Sequence, residues 1–352
     1  MSSTPLFSIA LAGYQTAPYL RRALDSITAQ TFTDFEVLCY VEESTDGSLE
    51  ICRTQAAADA RFKVISAPRS GGVGTTRNYA IDHAAGEYLV VLDGDDWFFP
   101  QLLEKLHDKL RETGTLDVLS FDAVTTPDED APLENAPRLT NFRPSDASGV
   151  FTGREALRRA GRNGGQFRAY TWLSAYRVAF LRENRFYQTD GLRMEDFGWT
   201  PRVWFAAEKF ACLYEVLYVY RRRENSLTTE SSSQLVLDLM KQIRLLLEFE
   251  EGAAAPEDLR RIWSSQWFST LYWFLFHPVS SRKISDRDRR EALNILLAPP
   301  GAERMRRLAA LLSAPKRLPL PLIRLAAKGP VWPVRLYFRL FYYPLIALRG
   351  GR

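Results

Sequence analysis

Residues Tyr88 to Trp97 read YLVVLDGDDW, which places three carboxylates, Asp93, Asp95 and Asp96, within four residues. Three like charges so close repel one another. A hard divalent cation such as Mg²⁺ or Mn²⁺ relieves that repulsion. Mg²⁺ usually takes one or two protein carboxylates and fills its shell with substrate phosphates. A solvated acidic turn with an aspartate as helix N-cap explains an isolated Asp-x-Asp-Asp equally well.

The elements around this stretch must hold it in place. Leu89 to Leu92 is a short unbroken apolar run, the pattern of a strand buried on both faces. Similar runs at Phe7–Leu11, Phe35–Val41, Phe62–Ser66 and Asp117–Ala123 predict further strands. Between them, helical periodicity runs through Pro18–Ala29, Leu49–Ala60, a segment opened by the glycine loop Gly71–Gly74 and closing near His83, and Gln101–Glu112. Alternating strands and helices imply right-handed β-α-β crossovers and a mainly parallel sheet. Ligands bind such sheets beyond the carboxyl ends of the strands. The loops after Leu11, Val41, Ser66 and Leu92 should therefore share one crevice. Arg77 opens a helix in that crevice, where its side chain and nearby backbone N–H groups could address a phosphate; a surface helix residue is the plainer reading.

Thr125–Gly149 interrupts the pattern with four prolines and the acidic run Asp128-Glu129-Asp130, which predicts a long exposed excursion or lid. Beyond Ser231 the chain is mostly helix. Leu235, Leu239, Ile243, Leu246 and Phe249 share a face, and Trp263, Trp267, Leu271 and Phe274 form an aromatic stripe best read as core. The expected organisation is a catalytic domain over 1–230, a helical region over 231–313 and a basic aromatic tail over 314–352.

Composition narrows the function. Cys39, Cys52 and Cys212 show no metal-ligand spacing, and an odd count argues against a disulfide framework, so a reducing cytoplasm fits best. Three scattered histidines make a His-based zinc site a poor reading. No basic region followed by a long apolar run opens the chain, so no signal peptide is expected. The tail from Ala314 to Arg352 holds eight Lys or Arg and no acid; the formal +4 of the chain minus these eight leaves −4 for the rest. That is not the charge pattern of a nucleic-acid binder.

In order along the chain, Ser8–Phe32 with Tyr14, then Ser44-Thr45-Asp46, Gly71-Gly72-Val73 through Arg77-Asn78, Gly86-Glu87-Tyr88 through Asp96, Glu195-Asp196 with Trp199, and Tyr218–Thr228 resemble the motif blocks of the family 2 glycosyltransferases. The resemblance covers Pro5 to Thr229. It implies the GT-A fold: a nucleotide-sugar-binding, Rossmann-like, mainly parallel α/β sheet. It also implies donor contacts by Tyr14, Glu42, Arg77, Asp93 and Gly94, a metal held by Asp95 with Asp93, and a catalytic base at Asp196 with Glu195 orienting the acceptor or the loop. Acids in a first helical turn are favoured by the dipole alone, which explains the Glu195–Asp196 pair as well. Two departures stand out. Val41-Glu42-Glu43 replaces the commoner Asp-Asp-Gly, which leaves open whether Glu42 or Glu43 meets the base. Ala12-Gly13-Tyr14-Gln15 replaces Pro-Thr-Tyr-Asn.

The expected activity is metal-dependent, inverting transfer from a nucleoside diphosphate sugar, with a UDP-sugar favoured, to a glycan or lipid-linked acceptor in cell-surface polysaccharide synthesis. The loops around Thr125–Gly149 and Gln166–Trp172 are expected to select the sugar. The rivals are a nucleotidyltransferase, whose phosphate loop would follow the first strand rather than the third, and a non-catalytic sugar-binding scaffold. The tail cannot comfortably span a bilayer, because Arg335 and Arg339 would cost about 2.5–3.5 kcal/mol each at a helix centre. Peripheral association with the inner face of the cytoplasmic membrane, aromatics and leucines down, is expected instead; packing on the protein or homo-oligomer formation is the alternative.

Overall fold

The computed structural model describes residues 4–70, 72–127, 131–162, 167–223, 232–278, 281–312, 317 and 319–344. Gly71, the acidic run 128–130, Gln166, the end of the closing block at 224–228, and tail residues 314–316 and 345–352 lie outside them. The chain forms two compact units: Met1–Arg159 with Arg168–Arg223, and Ala160–Phe167 with Glu224–Arg352.

In the first unit, β1 (Phe7–Gly13), α1 (Ala17–Thr28), β2 (Phe35–Glu42), α2 (Ser48–Ala58), β3 (Phe62–Ala67), α3 (Gly74–His83) and β4 (Tyr88–Asp93) alternate as their periodicities predict. Every residue of β1 and β2 is buried. Helices cover both faces of such strands, so the apolar runs are continuous rather than alternating. In α1, Pro18 sits in the first turn, and Leu20, Ala23, Leu24 and Ile27 form the buried face. The strands β3-β2-β1-β4 run parallel, with Gly13 beside Val41, Glu42 beside Ala67 and Ala12 beside Asp93. Their carboxyl ends therefore lie along one edge. Gly86 precedes β4 because a Cβ there would sit 2.6 Å from the backbone of Phe7 and Ser8.

The far half of the sheet is mixed. β5 (Trp97–Phe98) and α4 (Leu102–Thr113) lead to β6 (Val118–Thr126), β7 (Arg138–Leu139), α5 (Gly153–Arg162), β8 (Ser174–Arg177), α6 (Val178–Glu183), α7 (Glu195–Ala206) and β9 (Phe210–Arg221). β8 enters antiparallel between β4 and β6, β9 runs parallel to β6, and β5 pairs antiparallel with β9. The stretch after Thr125 is less exposed than its prolines predict. β6 continues to Thr126, β7 pairs back onto it, and Asn141 and Phe142 are buried. Phe142 stacks on Trp204 with ring centroids 5.8 Å apart, an anchor that polar composition cannot reveal.

The second unit is helical: α8 (Ser233–Gly252), α9 (Glu257–Phe276), α10 (Asp286–Leu297), α11 (Gly301–Ala309), then the helices Leu320–Lys328 and Trp332–Tyr337 and a π-turn over Phe338–Tyr342. Leu235, Leu239, Ile243 and Leu246 are buried in α8, with Phe249 half-buried. Trp263, Trp267 and Leu271 are core, and Phe274 is half-buried. The segment Ala160–Phe167 belongs to this unit, which the sequence did not announce. A Cβ on Gly161 would meet the Ile262 side chain at 2.7 Å, and Gln266 donates to the Phe167 carbonyl. The tail does not turn all its aromatics outward. Val334, Phe338 and Tyr342 are buried, and Phe338 stacks on Phe276 at 4.8 Å. Among the described residues no helix is long and apolar enough to cross a membrane.

Candidate active site

The carboxyl ends of β1 and β4 bring the aspartate cluster beside the first loop. Gly94 passes so close that a Cβ would lie 2.6 Å from the Ala12 carbonyl oxygen. A larger residue would push the aspartates off the strand end. The following turn then enters β5, whose pairing with β9 carries Asp95 and Asp96 to the end of β9.

There the three aspartates part company. Asp96 is buried; its carboxylate accepts from the Tyr218 hydroxyl at 2.6 Å and the Arg221 N–H at 2.8 Å. Burial first, then Asp95 and Asp93 nearby, hold its pKa well above the usual carboxylate range. Asp96 is thus an internal brace. Asp95 is partly exposed and pairs with the Arg223 guanidinium at 2.6 Å, while its carbonyl accepts from Arg221 Nε at 3.0 Å. Asp93 accepts from Arg77 Nη2 at 3.2 Å.

Arg77 stands in the first turn of α3 and is itself buried. Its guanidinium donates to Asp93, to Glu195 at 2.6 Å and to Asp196 at 2.9 Å. Burial works against its charge, but Asp196, Asp93 and Glu195 outweigh that and push its pKa up. Burial raises the Glu195 carboxyl, and adjacent Asp196 raises it further against the pull of Arg77. Asp93 is likewise raised by burial in spite of Arg77. The side chain expected to face the nucleotide therefore faces three carboxylates. It ties the metal motif, 16 residues further along the chain, to Asp196, 119 residues further along.

The acidic pair opens α7, entered through Met194 in the left-handed region at φ 58°. That conformation is costly for a methionine and turns the chain so that Glu195 and Asp196 project from the first turn. Thr171, in the short 3-10 turn before β8, donates its hydroxyl to Asp196 and accepts from Gln188 Nε2 at 3.0 Å. Asp196 thus has two fixed partners and remains partly open, its side chain 17% exposed.

Tyr14 and Glu42 make their contacts elsewhere, at the ends of β1 and β2. The Arg69 guanidinium lies 4.5 Å from the Tyr14 ring centroid. Glu42 is buried and accepts the N–H and hydroxyl of Ser70, whereas Glu43 is exposed. Of the two, Glu42 is fixed at the strand end. Thr171, Tyr218, Arg221 and Arg223 were missed as site residues. Their sequence signals were coarser: Thr171 falls in the loop expected to select the sugar, and Tyr218, Arg221 and Arg223 fall in the block Tyr218–Thr228, with no role given to any of them.

Among the described residues no group of three or more histidine, cysteine or acidic side chains is arranged to hold a metal ion. The donor set is therefore no protein cage. Asp95 and Asp93 are the carboxylates that would hold a hard cation here, with substrate phosphates supplying further oxygens. The Asp95–Arg223 pair must open for that.

A sequence model described as glycosyl transferase family 2 matches residues 8–181. An uncharacterized glycosyltransferase EpsJ of Bacillus subtilis is 31% identical over 266 residues, covering 72% of this chain and 74% of that protein. Glycosyltransferase GlyG of Streptococcus pneumoniae is 27% identical over 238 residues, covering 63% of this chain and 72% of GlyG. In fold, the chain is similar to S. aureus TarS residues 1–349 in complex with UDP-GlcNAc: TM-score 0.74 at 21% identity, covering 95% of this chain and 91% of that one. It is also similar to the mannosyltransferase PcManGT of Pyrobaculum calidifontis in complex with GDP-Man and Mn²⁺, with a TM-score of 0.51 at 18% identity, covering 99% and 88%.

Proposed function

The chain belongs to glycosyl transferase family 2, and from that premise we propose a metal-dependent, inverting, hexosyltransferase-like enzyme. It moves a sugar from a nucleoside diphosphate sugar, a UDP-sugar foremost, to a hydroxyl of a glycan or lipid-linked acceptor. Its setting is cell-surface polysaccharide synthesis at the inner face of the cytoplasmic membrane. The catalytic domain is residues 1–230, with the helical region 231–313 and the tail 314–352 following it.

The observation that carries this reading is the single guanidinium of Arg77 joining Asp93 to Asp196. That link supports a reading in which the diphosphate leaves beside the base. Tyr14 and Glu42 bind the nucleoside at the ends of β1 and β2. Mn²⁺ or Mg²⁺ at Asp95, with Asp93, would neutralise the departing diphosphate. Asp196 takes the acceptor hydroxyl proton as the oxygen attacks the anomeric carbon. Attack opposite the leaving group inverts that centre in one displacement. Glu195 stays on Arg77 and keeps the base in position.

A donor screen with Mn²⁺ or Mg²⁺ tests this, scoring nucleoside diphosphate release with and without acceptor lipid extracts. Release of pyrophosphate from nucleoside triphosphates, or no release from any donor, would overturn the reading.

Two expected results concern the metal. Asp95→Asn weakens Mn²⁺ binding roughly a hundredfold or more, because even partners one step removed from a metal are worth 10–100-fold. Unchanged Mn²⁺ binding, read by electron paramagnetic resonance of the free ion, would dismiss Asp95 as the ligand. Arg223→Gln has the opposite sign. It removes the guanidinium that competes for Asp95 at 2.6 Å, so the donor-free protein binds Mn²⁺ roughly two- to tenfold more tightly, the worth of a partly buried ion pair. Weaker binding in that titration would show that Arg223 supports the cation rather than excluding it.

A further inference from the structure

The tail helix presents two apolar stripes at the same spacing. One, Val334, Phe338 and Tyr342, is buried, with Tyr272 and Phe276 against it. The other, Trp332, Leu336 and Leu340, stands in solvent at 62%, 46% and 53% exposure, with Phe341 beside it at 61%. Leu325, on the preceding helix, is 68% exposed. These five are most of the seven large apolar side chains exposed among the described residues. Single exposed apolar residues are ordinary; a cluster rimmed by polar groups marks a docking surface.

The rim is basic. Arg324, Lys328, Arg335 and Arg339 are exposed, and no acid occurs from Ala314 to Arg352. Arg335 is steadied by Asp286 at 3.2 Å. We infer that this face docks on an anionic lipid surface, with Trp332, Leu336, Leu340 and Phe341 entering the headgroup–acyl boundary and the basic rim at the phosphates. A second copy is the poorer occupant, since pairing like faces would set arginine against arginine with no acid in the segment to relieve it. A spanning mode is ruled out for the described helices, none of which is long and apolar enough. The geometry is that of a helix lying in the interface plane. The inference rests on the proposed membrane-side acceptor for its purpose and names the lipid partner and the contact residues.

The test uses the full chain and sedimentation with vesicles of phosphatidylethanolamine containing about 30 mol% phosphatidylglycerol, against pure phosphatidylcholine. The protein is expected to pellet with the anionic vesicles at low salt and to be released at about 0.5 M salt. The variant W332S/L336S/L340S/F341S should partition at least about tenfold more weakly. R324Q/K328Q/R339Q should bind more weakly and with a shallower salt dependence than wild type. All four apolar positions are exposed, so circular dichroism should be unchanged, as should nucleoside diphosphate release from a soluble donor. Wild type remaining in the supernatant at low salt, or face variant and wild type pelleting alike, overturns the inference. So does a dimer in light scattering that the face variant abolishes. Vesicle binding with no nucleoside diphosphate release from any donor would instead refute the proposed function and leave the lipid face standing.

Discussion

Asp196→Asn is expected to bind donor almost as wild type does and to transfer sugar roughly 10²–10⁴-fold more slowly, the usual worth of a positioned general base. The amide keeps the shape of the carboxylate. Its oxygen can still accept from Arg77 Nη1, now 2.9 Å from Asp196 Oδ1, and from the Thr171 hydroxyl. What it cannot do is take a proton. The measurement is a pair: nucleoside diphosphate affinity by calorimetry and single-turnover transfer. Equal losses in both would move Asp196 from chemistry to structure or donor contact. Product of retained anomeric configuration would refute the in-line displacement whatever the rates.

How far the sequence led depended on the range of each interaction. Strands β1 to β4 and their helices were legible because their signals are local: apolar runs of buried strands, and the i, i+3, i+4, i+7 spacing of Leu20, Ala23, Leu24 and Ile27. The antiparallel entry of β8 between β4 and β6 was not, because Ser174–Arg177 is four residues long and its place is set by two partners. Likewise, prolines at 127, 132, 137 and 144 spoke for exposure, but Phe142 anchors that stretch through a stack on Trp204. In the site, the aspartates were conspicuous while their separate fates were hidden. Asp93, Asp95 and Asp96 are near neighbours in sequence, yet each meets a different cation or hydroxyl brought by α3, by β9 or by the residues just after β9. Arg77 was singled out for a phosphate because a helix N-terminus favours anions. The anions it meets are carboxylates, Asp93 from 16 residues further on and Glu195 and Asp196 from 118 and 119.

That arrangement makes Arg77→Met the most damaging single change expected for stability. Methionine fills much of the arginine volume, so packing is largely kept and the change is chiefly one of charge. Asp93, Glu195 and Asp196 lose their shared cation in a place where Arg77 itself is 2% exposed. Removing one partner from a buried ion pair costs about 3–5 kcal/mol, because the remaining charge is left uncompensated. The pH dependence has a definite sign. Asp93 and Glu195 already carry raised pKa values, each held down in part by Arg77. Without it they rise further above their unfolded values. A carboxyl whose folded pKa is raised costs nothing while protonated in both states, and costs progressively more as pH climbs from the unfolded towards the folded value. The stability deficit of Arg77→Met should therefore be smallest near pH 4–5, at the ordinary carboxylate pKa, and grow toward pH 8. Urea unfolding of both proteins at several pH values reads it directly. A deficit that is flat with pH would mean that Arg77 acts through shape, and a deficit largest at low pH would mean that the three carboxylates do not depend on it.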